Sequence, residues 1–248
     1  MDFGFNDEQQ AIKETAREML AKRSPLSKVR EAAESRSYDD ALWKELCELG
    51  WPGIAIAEDH DGQGLAMVEL TILCEELGYA CAASPFLSNA SAGLFIEHAG
   101  SDQQRERWLG GIASGEGRGA AAFEPRSNDL VPDAERAAVL VLNDGDNAVV
   151  VEASEAEIEP VELIDATRSY ARVSASGGEA LPGDVEAAAD RSVVALAAEL
   201  TGIAQRAMEL AVDYAKERQQ FDRPIGAYQA VSHRCAGMLY DTEESRSL

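Results

Sequence analysis

The sequence predicts a mainly α protein with a small β insert. It reads as an N-terminal helical bundle over residues 1–117, a reduced middle β domain over 118–184, and the start of a C-terminal helical bundle over 185–248. Three observations lead there. Amphipathic helical patterns with start and stop signals fill the chain up to Gly117. Apolar runs with strand character, separated by turn residues, occur only after it. A helical stripe then resumes near Val185 and continues for about seven turns. No internal repeat or low-complexity linker interrupts this order.

The elements follow from their residues. Asn6 and Gln9 have the spacing of a capping box, and Ile12, Ala16, Met19 and Leu20 then fall on one helical face. Asp39 and Asp40 open another helix, in which Trp43, Leu46, Cys47 and Leu49 share a side and Gly50 is the natural C′ stop. Ile54 to Ala57 is a short apolar link, and Asp61 to Gly64 is a loop. Leu65 to Tyr79 is strongly amphipathic, with Leu70, Leu73 and Leu77 inward. Asn89 to His98 and Asp102 to Ile112 give two further helices. Ala137 to Leu142 and Asn147 to Glu152, joined by the turn Asn143-Asp144-Gly145-Asp146, read as a hairpin, with Tyr170 to Ser174 a further strand. In the long helix, Val194, Leu196, Leu200, Ile203, Ala207, Met208, Ala211 and Tyr214 form the stripe. Pro224 and Gly226 end it. A last helix from Tyr228 reaches Leu248 without a cap, which predicts a C-terminally truncated chain.

Composition narrows the function classes. Apolar residues make up 46% and charged residues 27%, a globular balance with room for a sizeable core. The formal net charge is −23, from 22 basic and 45 acidic residues, with no Lys/Arg run. That field repels nucleic acid and anionic membranes, while single arginines can still hold a small anion. Cys47, Cys74, Cys81 and Cys235 show no C-x-x-C spacing and read as buried thiols of a reducing compartment, hence cytoplasmic. His60, His98 and His233 are too scattered to suggest zinc, and no metal is expected. The opening MDFGFNDEQQ lacks the basic and apolar regions of a secretory signal. The apolar runs fall short of the ~18 residues a membrane span needs.

Generic catalytic motifs are missing: there is no G-x-S-x-G, Walker A, H-E-x-x-H or G-x-G-x-x-G. Glu75-Glu76 and Glu243-Glu244 read as solvated helix faces. These features alone describe an α-rich globular protein of unspecified activity.

Three stretches in the last quarter are more specific. Ala198 to Arg206 (AELTGIAQR), Tyr214 to Gln220 (YAKERQQ) and Phe221 to His233 (FDRPIGAYQAVSH) resemble the long helix, the R-x-Q-F-G turn and the following helix of acyl-CoA dehydrogenases. Leu42 to Gly53 (LWKELCELGWPG), the Glu58 to Gly64 loop, Glu75 to Gly78 (EELG) and Ser101 to Glu116 (SDQQRERWLGGIASGE) resemble that family's N-terminal helical domain. The resemblance spans nearly the whole chain and implies an acyl-CoA dehydrogenase-like fold. It also implies FAD as cofactor and an acyl-CoA substrate, dehydrogenated to 2,3-enoyl-CoA by α-proton removal and β-hydride transfer to flavin N5. It further implies a second subunit, in a homo- or hetero-oligomer, and an electron-transfer flavoprotein as acceptor. By this resemblance Arg218 reaches across a dimer interface to the pyrophosphate of FAD held by the neighbouring subunit. Gln220, Phe221, Tyr228 and Gln229 match positions around that dinucleotide, and Asp190 and Arg191 match residues lining the acyl-CoA pocket. The chemistry suits the position, since a guanidinium at a helix end can fork onto a pyrophosphate and stays charged at any working pH.

The sequence also departs from the family pattern. Asp222 stands where the turn normally has Gly; Asp tolerates left-handed backbone better than most residues, and Arg223 follows it. Phe123 to Asp129 (FEPRSND) resembles a shortened T-E-P-x-x-G-S-D flavin-ring loop, and Asp165 to Val173 (DATRSYARV) resembles the tail of the β domain. The W-I-T-N stretch has no counterpart, because Trp43, Trp51 and Trp108 all precede the β region. The resemblance puts the catalytic base either beyond Leu248 or near the start of the long helix, where Ser192 stands between Arg191 and Val193. A serine without a paired His is not a carbon-acid base, so the catalytic residue stays unknown. Two main roles are open: a dehydrogenase whose base lies beyond residue 248, or a non-catalytic partner subunit contributing part of the FAD site of a heteromeric enzyme. A cofactor-free helical chain kept for assembly is the third.

Overall fold

The computed structural model describes residues 4–122, 128–143 and 147–247. Helix α1 (Asp7–Arg23) begins with the expected capping box: Asn6 Oδ1 accepts the Gln9 N–H at 2.8 Å, and Gln9 Oε1 accepts the Asn6 N–H at 3.1 Å. Helix α2 (Leu26–Ser35) has no counterpart in the pattern reading; it buries Ala32 alone, too little for a visible stripe. Asp39 caps α3 (Asp40–Glu48), and Gly50 follows in the left-handed conformation, φ 72°, that suits a C′ glycine. Helices α4 (Met67–Tyr79), α5 (Phe86–Ala99) and α6 (Asp102–Ser114) complete the N-terminal bundle.

Strands β1 (Gly119–Ala121), β2 (Val131–Pro132), β3 (Val139–Asn143), β4 (Ala148–Glu152), β5 (Ala156–Val161), β6 (Tyr170–Ala175) and β7 (Glu179–Ala180) form two sheets, ordered β1-β3-β4-β7 and β2-β6-β5. The expected strand pair β3–β4 is present and antiparallel, from Val139↔Glu152 to Asn143↔Ala148; its turn, Asp144–Asp146, lies outside the described residues. β1, parallel to β3, is Gly-Ala-Ala and carries no β-forming signal. β5 alternates Glu157, Ile158 and Glu159 and ends at Pro160 and Val161, so its pattern is weak too.

Alternation explains why β3 and β4 are apolar on both faces. Val139, Val141, Ala148 and Val150 pack with Phe95, Ile96, Ile112 and Val185 of the helical layer. Leu140, Leu142 and Val151 face the other way, onto Val131, Ala171 and Val173 of the second sheet. Sheet β1-β3-β4-β7 is therefore the middle of three layers.

Helix α7 (Val185–Glu217, 33 residues) crosses the bundle, followed by β8 (Gln219–Gln220), β9 (Arg223–Pro224) and α8 (Gln229–Ser247). Leu196 packs against the N-terminal core, but most of the helix's apolar stripe does not face inward. Val194, Leu200 and Tyr214 are 51%, 54% and 59% exposed, and none of the eight stripe residues is buried. The buried face carries Ala188, Ser192, Ala195, Glu199 and Gly202 instead. The reason is steric. A Cβ on Gly202 would lie 1.9 Å from Glu75 O, and one on Gly78 would lie 2.0 Å from Glu199 O. The α4 and α7 backbones touch, and only small residues allow this.

The glutamate pair Glu75-Glu76 is also not a solvated face. Glu76 is 1% and Glu75 8% exposed. Arg17 holds Glu76 through both guanidinium edges, Nη2 at 3.0 Å, while Lys13 and Arg246 reach Glu75 at 3.3 and 3.2 Å. The compensating cations come from α1 and α8, which a local pattern does not reveal. Glu243 and Glu244 are exposed as expected. All four cysteines are free, but only Cys74 is buried; Cys47, Cys81 and Cys235 are half-buried. Among the described residues no helix is long and apolar enough to cross a membrane.

Two glycines separate packing from propensity. Gly202→Ala should lower stability by about 1–3 kcal/mol through overpacking at the α4–α7 contact. Gly237→Ala in α8, where an added Cβ meets nothing within 4 Å, should raise it by about 0.5–1 kcal/mol. Thermal melts of both variants check this; an unchanged Gly202→Ala melt would mean the helices do not touch.

Candidate functional site

The family-like turn folds as a small hairpin at the end of α7. Glu217 is the last helical residue, and Arg218 leaves it in extended conformation (φ −68°, ψ 120°) with its N–H on Tyr214 O at 2.8 Å. β8 and β9 then pair antiparallel, Gln219↔Pro224 and Gln220↔Arg223. The connection is the two residues Phe221 and Asp222, with φ 53° and 61°. Two left-handed residues in a two-residue loop make a type I′ turn. Asp222 is at ease there, and the bulky Phe221 is the strained member.

The hairpin brings together most of the residues expected at the cofactor. Phe221 is 87% exposed. Tyr228 packs edge-on to it, centroids 6.4 Å apart, and its hydroxyl donates to Gln220 O at 3.1 Å. Gln229 begins α8 next to Tyr228 and is exposed. Among the described residues the Arg218 guanidinium has no ion pair or hydrogen bond. Its paired donors, the exposed amides of Gln220 and Gln229 and an open aromatic ring are a donor set that fits a dinucleotide diphosphate and base.

Asp190 and Arg191 lie elsewhere, in the second turn of α7, roughly 40 Å from Arg218 along the helix at 1.5 Å per residue. Asp190 is exposed, and Arg191 donates to Ala187 O at 2.8 Å. The hairpin and this pair therefore belong to separate places in one chain. Ser192 follows, fully buried, its hydroxyl donating to Ala188 O at 3.1 Å.

A buried polar cluster continues this face of α7, and the sequence reading missed it. Glu199, 6% exposed, accepts from Arg168 Nη2 at 2.7 Å. Nearby, Asp133 is 5% exposed, sits at φ 61°, and accepts a hydrogen bond from Ser88 on Oδ2, while Oδ1 has no partner. Burial raises its carboxyl to about 8, against an opposing pull from the Arg168 charge. A cleft of about 600 Å³ lined by Arg36, Tyr38, Arg136, Arg168 and Tyr170 adjoins this region and includes none of the hairpin residues. The signal available was Arg168 in the DATRSYARV segment; its partner Glu199 is 31 residues away. Of the loop-like FEPRSND stretch, Phe123–Ser127 lies outside the described residues.

Comparison with known proteins places the whole chain. Residues 6–116 match the acyl-CoA dehydrogenase N-terminal domain, and residues 185–248 match the C-terminal domain. Acyl-CoA dehydrogenase IpdE2 of Mycobacterium tuberculosis is 33% identical over 244 residues, covering 98% of this chain and 74% of the relative. The chain belongs to the acyl-CoA dehydrogenase family. Acyl-CoA dehydrogenase IpdE2 of Mycolicibacterium smegmatis is 31% identical over 246 residues, covering 98% of this chain and 76% of its own. Among solved structures, a variant of the Tcur3481-Tcur3483 steroid ACAD superposes with TM-score 0.87 at 26% identity, covering 96% of this chain and 74% of that one. The ChsE4-ChsE5 complex of Mycobacterium tuberculosis shares the fold, with TM-score 0.82 at 21% identity, covering 98% and 76%. Acyl-CoA dehydrogenases are flavoprotein oxidoreductases that depend on FAD.

Asp133 gives a pH prediction. A folded pKa raised to about 8 means that the native state holds a proton the unfolded state releases near the ordinary carboxyl value of 3.8. Stability from this group is full below that lower value and is lost as pH rises through about 8. Asp133→Asn should therefore gain stability relative to the unsubstituted protein as pH rises across that window. Paired melts at several pH values test it; a constant difference would show that Asp133 is ionised in the folded state.

Proposed function

We propose that this chain is a subunit of an FAD-dependent acyl-CoA dehydrogenase that forms 2,3-enoyl-CoA, and that its hairpin holds the pyrophosphate of FAD bound to a neighbouring subunit. The observation supporting this is Arg218: a guanidinium without a partner among the described residues of a strongly acidic chain, at the helix end that the family uses for that contact. Gln220 and Gln229 offer amide hydrogen bonds to the dinucleotide, and Phe221 and Tyr228 offer apolar ring surface. FAD, when bound, supplies the two-electron acceptor for the β-hydride. The α-proton goes to a carboxylate base, and the electron pair it leaves forms the new C=C bond as the hydride departs. Asp190 and Arg191, at the other end of α7, are the positions proposed to line the acyl-CoA pocket. An electron-transfer flavoprotein is the proposed acceptor of the reducing equivalents.

A second reading has its own support: this chain is the non-catalytic partner in a heteromer, and another subunit supplies the base. Ser192 occupies the family's alternative base position, yet it is fully buried and its hydroxyl is committed to Ala188 O. It neither reaches a substrate nor carries a group basic enough to remove an α-proton. The solved relatives named as pairs, Tcur3481-Tcur3483 and ChsE4-ChsE5, make a two-component enzyme a ready comparison.

Expression alone and with a co-encoded homologue separates the two. Yellow protein that reduces a ferrocenium-type acceptor with acyl-CoA on its own supports the first reading; flavin and activity only on co-expression support the second. Flavin in neither preparation removes both. In the flavin-containing preparation, Arg218→Ala should weaken FAD binding about 10- to 100-fold, the loss of one charge-assisted contact.

A further inference from the structure

The hairpin register adds a residue that the family-like motif does not single out. Side chains alternate across a paired strand, so residues in cross-strand register share a face. Gln220 pairs with Arg223, and the Ile225 N–H donates to Arg218 O at 2.8 Å. Arg218, Gln220 and Arg223 are thereby set on one face of the hairpin, with Gln219 and Pro224 on the other. Arg223 is also fixed in place. Its guanidinium stacks over Tyr228 at 4.0 Å from the ring centroid, and Tyr228 is tied to the hairpin by its hydrogen bond to Gln220 O.

Among the described residues both guanidiniums keep their donors free. Neither Arg218 nor Arg223 holds a carboxylate there, although Asp222 lies next to Arg223. Arg17, Arg23, Arg36, Arg105, Arg107, Arg136, Arg168, Arg172 and Arg246 each hold a carboxylate, while Arg30, Arg118, Arg191, Arg206 and Arg234 hold none among the described residues, so what sets Arg218 and Arg223 apart is their shared face on the hairpin. A dinucleotide diphosphate carries two negative charges, and one arginine matches half of that. We propose that Arg223, held over the Tyr228 ring, is the second guanidinium of the diphosphate site, so that Arg218 and Arg223 together neutralise the FAD pyrophosphate and outweigh Asp222. This rests on the FAD-facing reading of the hairpin and extends it. Tyr228 is then a positioning residue as well as ring surface.

The test uses the flavin-containing protein as purified, with any subunit that accompanies it. FAD affinity is measured by titration at low and high salt for Arg218→Gln, Arg223→Gln and Arg223→Lys, with a thermal melt of each flavin-free form to monitor folding. Arg223→Gln should weaken FAD about 10- to 100-fold and flatten the salt dependence, with the flavin-free melt unchanged. Arg223→Lys, which keeps the charge and loses the fork, should fall between the two. If Arg218→Gln weakens FAD while Arg223→Gln binds like the unsubstituted protein, the second-guanidinium assignment is wrong and the hairpin reading stands. If neither substitution weakens FAD, the hairpin is not the diphosphate site and both fail.

Discussion

The contact between α4 and α7 sets the geometry of everything else in the chain. Gly78 and Gly202 let the two backbones meet with no side chain between them. That contact seats a 33-residue helix whose start carries Asp190, Arg191 and Ser192 and whose end carries the hairpin. The close crossing thus anchors one helix that carries the proposed acyl-CoA positions at its start and the proposed FAD-facing hairpin at its end. The cost of so close an approach is that the buried face of α7 has little apolar area. Larger apolar residues of the helix remain at the surface, where Val194, Leu200 and Tyr214 are each more than half exposed.

Charge is handled differently in the interior and at the hairpin. Inside, these acidic groups are each matched by cations: Glu76 by Arg17, Glu75 by Lys13 and Arg246, Glu199 by Arg168. Such pairs balance desolvation more than they add stability, and removing one partner would strand the other. Among the described residues Asp133 has no ion-pair partner, and burial raises its carboxyl to about 8. At the hairpin the pattern reverses. Among the described residues, Arg218 and Arg223 share one face of the hairpin and neither holds a carboxylate. The type I′ turn at Phe221 and Asp222 keeps them together, because its tight reversal puts the two strands in register.

The class of the fold, the order of helices, strands and helices, the capping of α1, the pairing of β3 with β4 and the family-like turn after Glu217 were all legible in the residues alone. Those features are local: caps, periodicity and a motif of contiguous residues are written within a few positions of one another. Which face of α7 is buried was settled by packing. Periodicity found the apolar stripe, but the contact at Gly78 and Gly202 selected the small-residue face against it. Tertiary contacts likewise decided that Glu75 and Glu76 are interior, that Arg168 meets Glu199, and that Arg223 shares a face with Arg218. Each of these depends on partners brought together by packing or by strand register. Physical proximity of that kind is set by backbone approach, which a one-dimensional pattern of residue types does not encode.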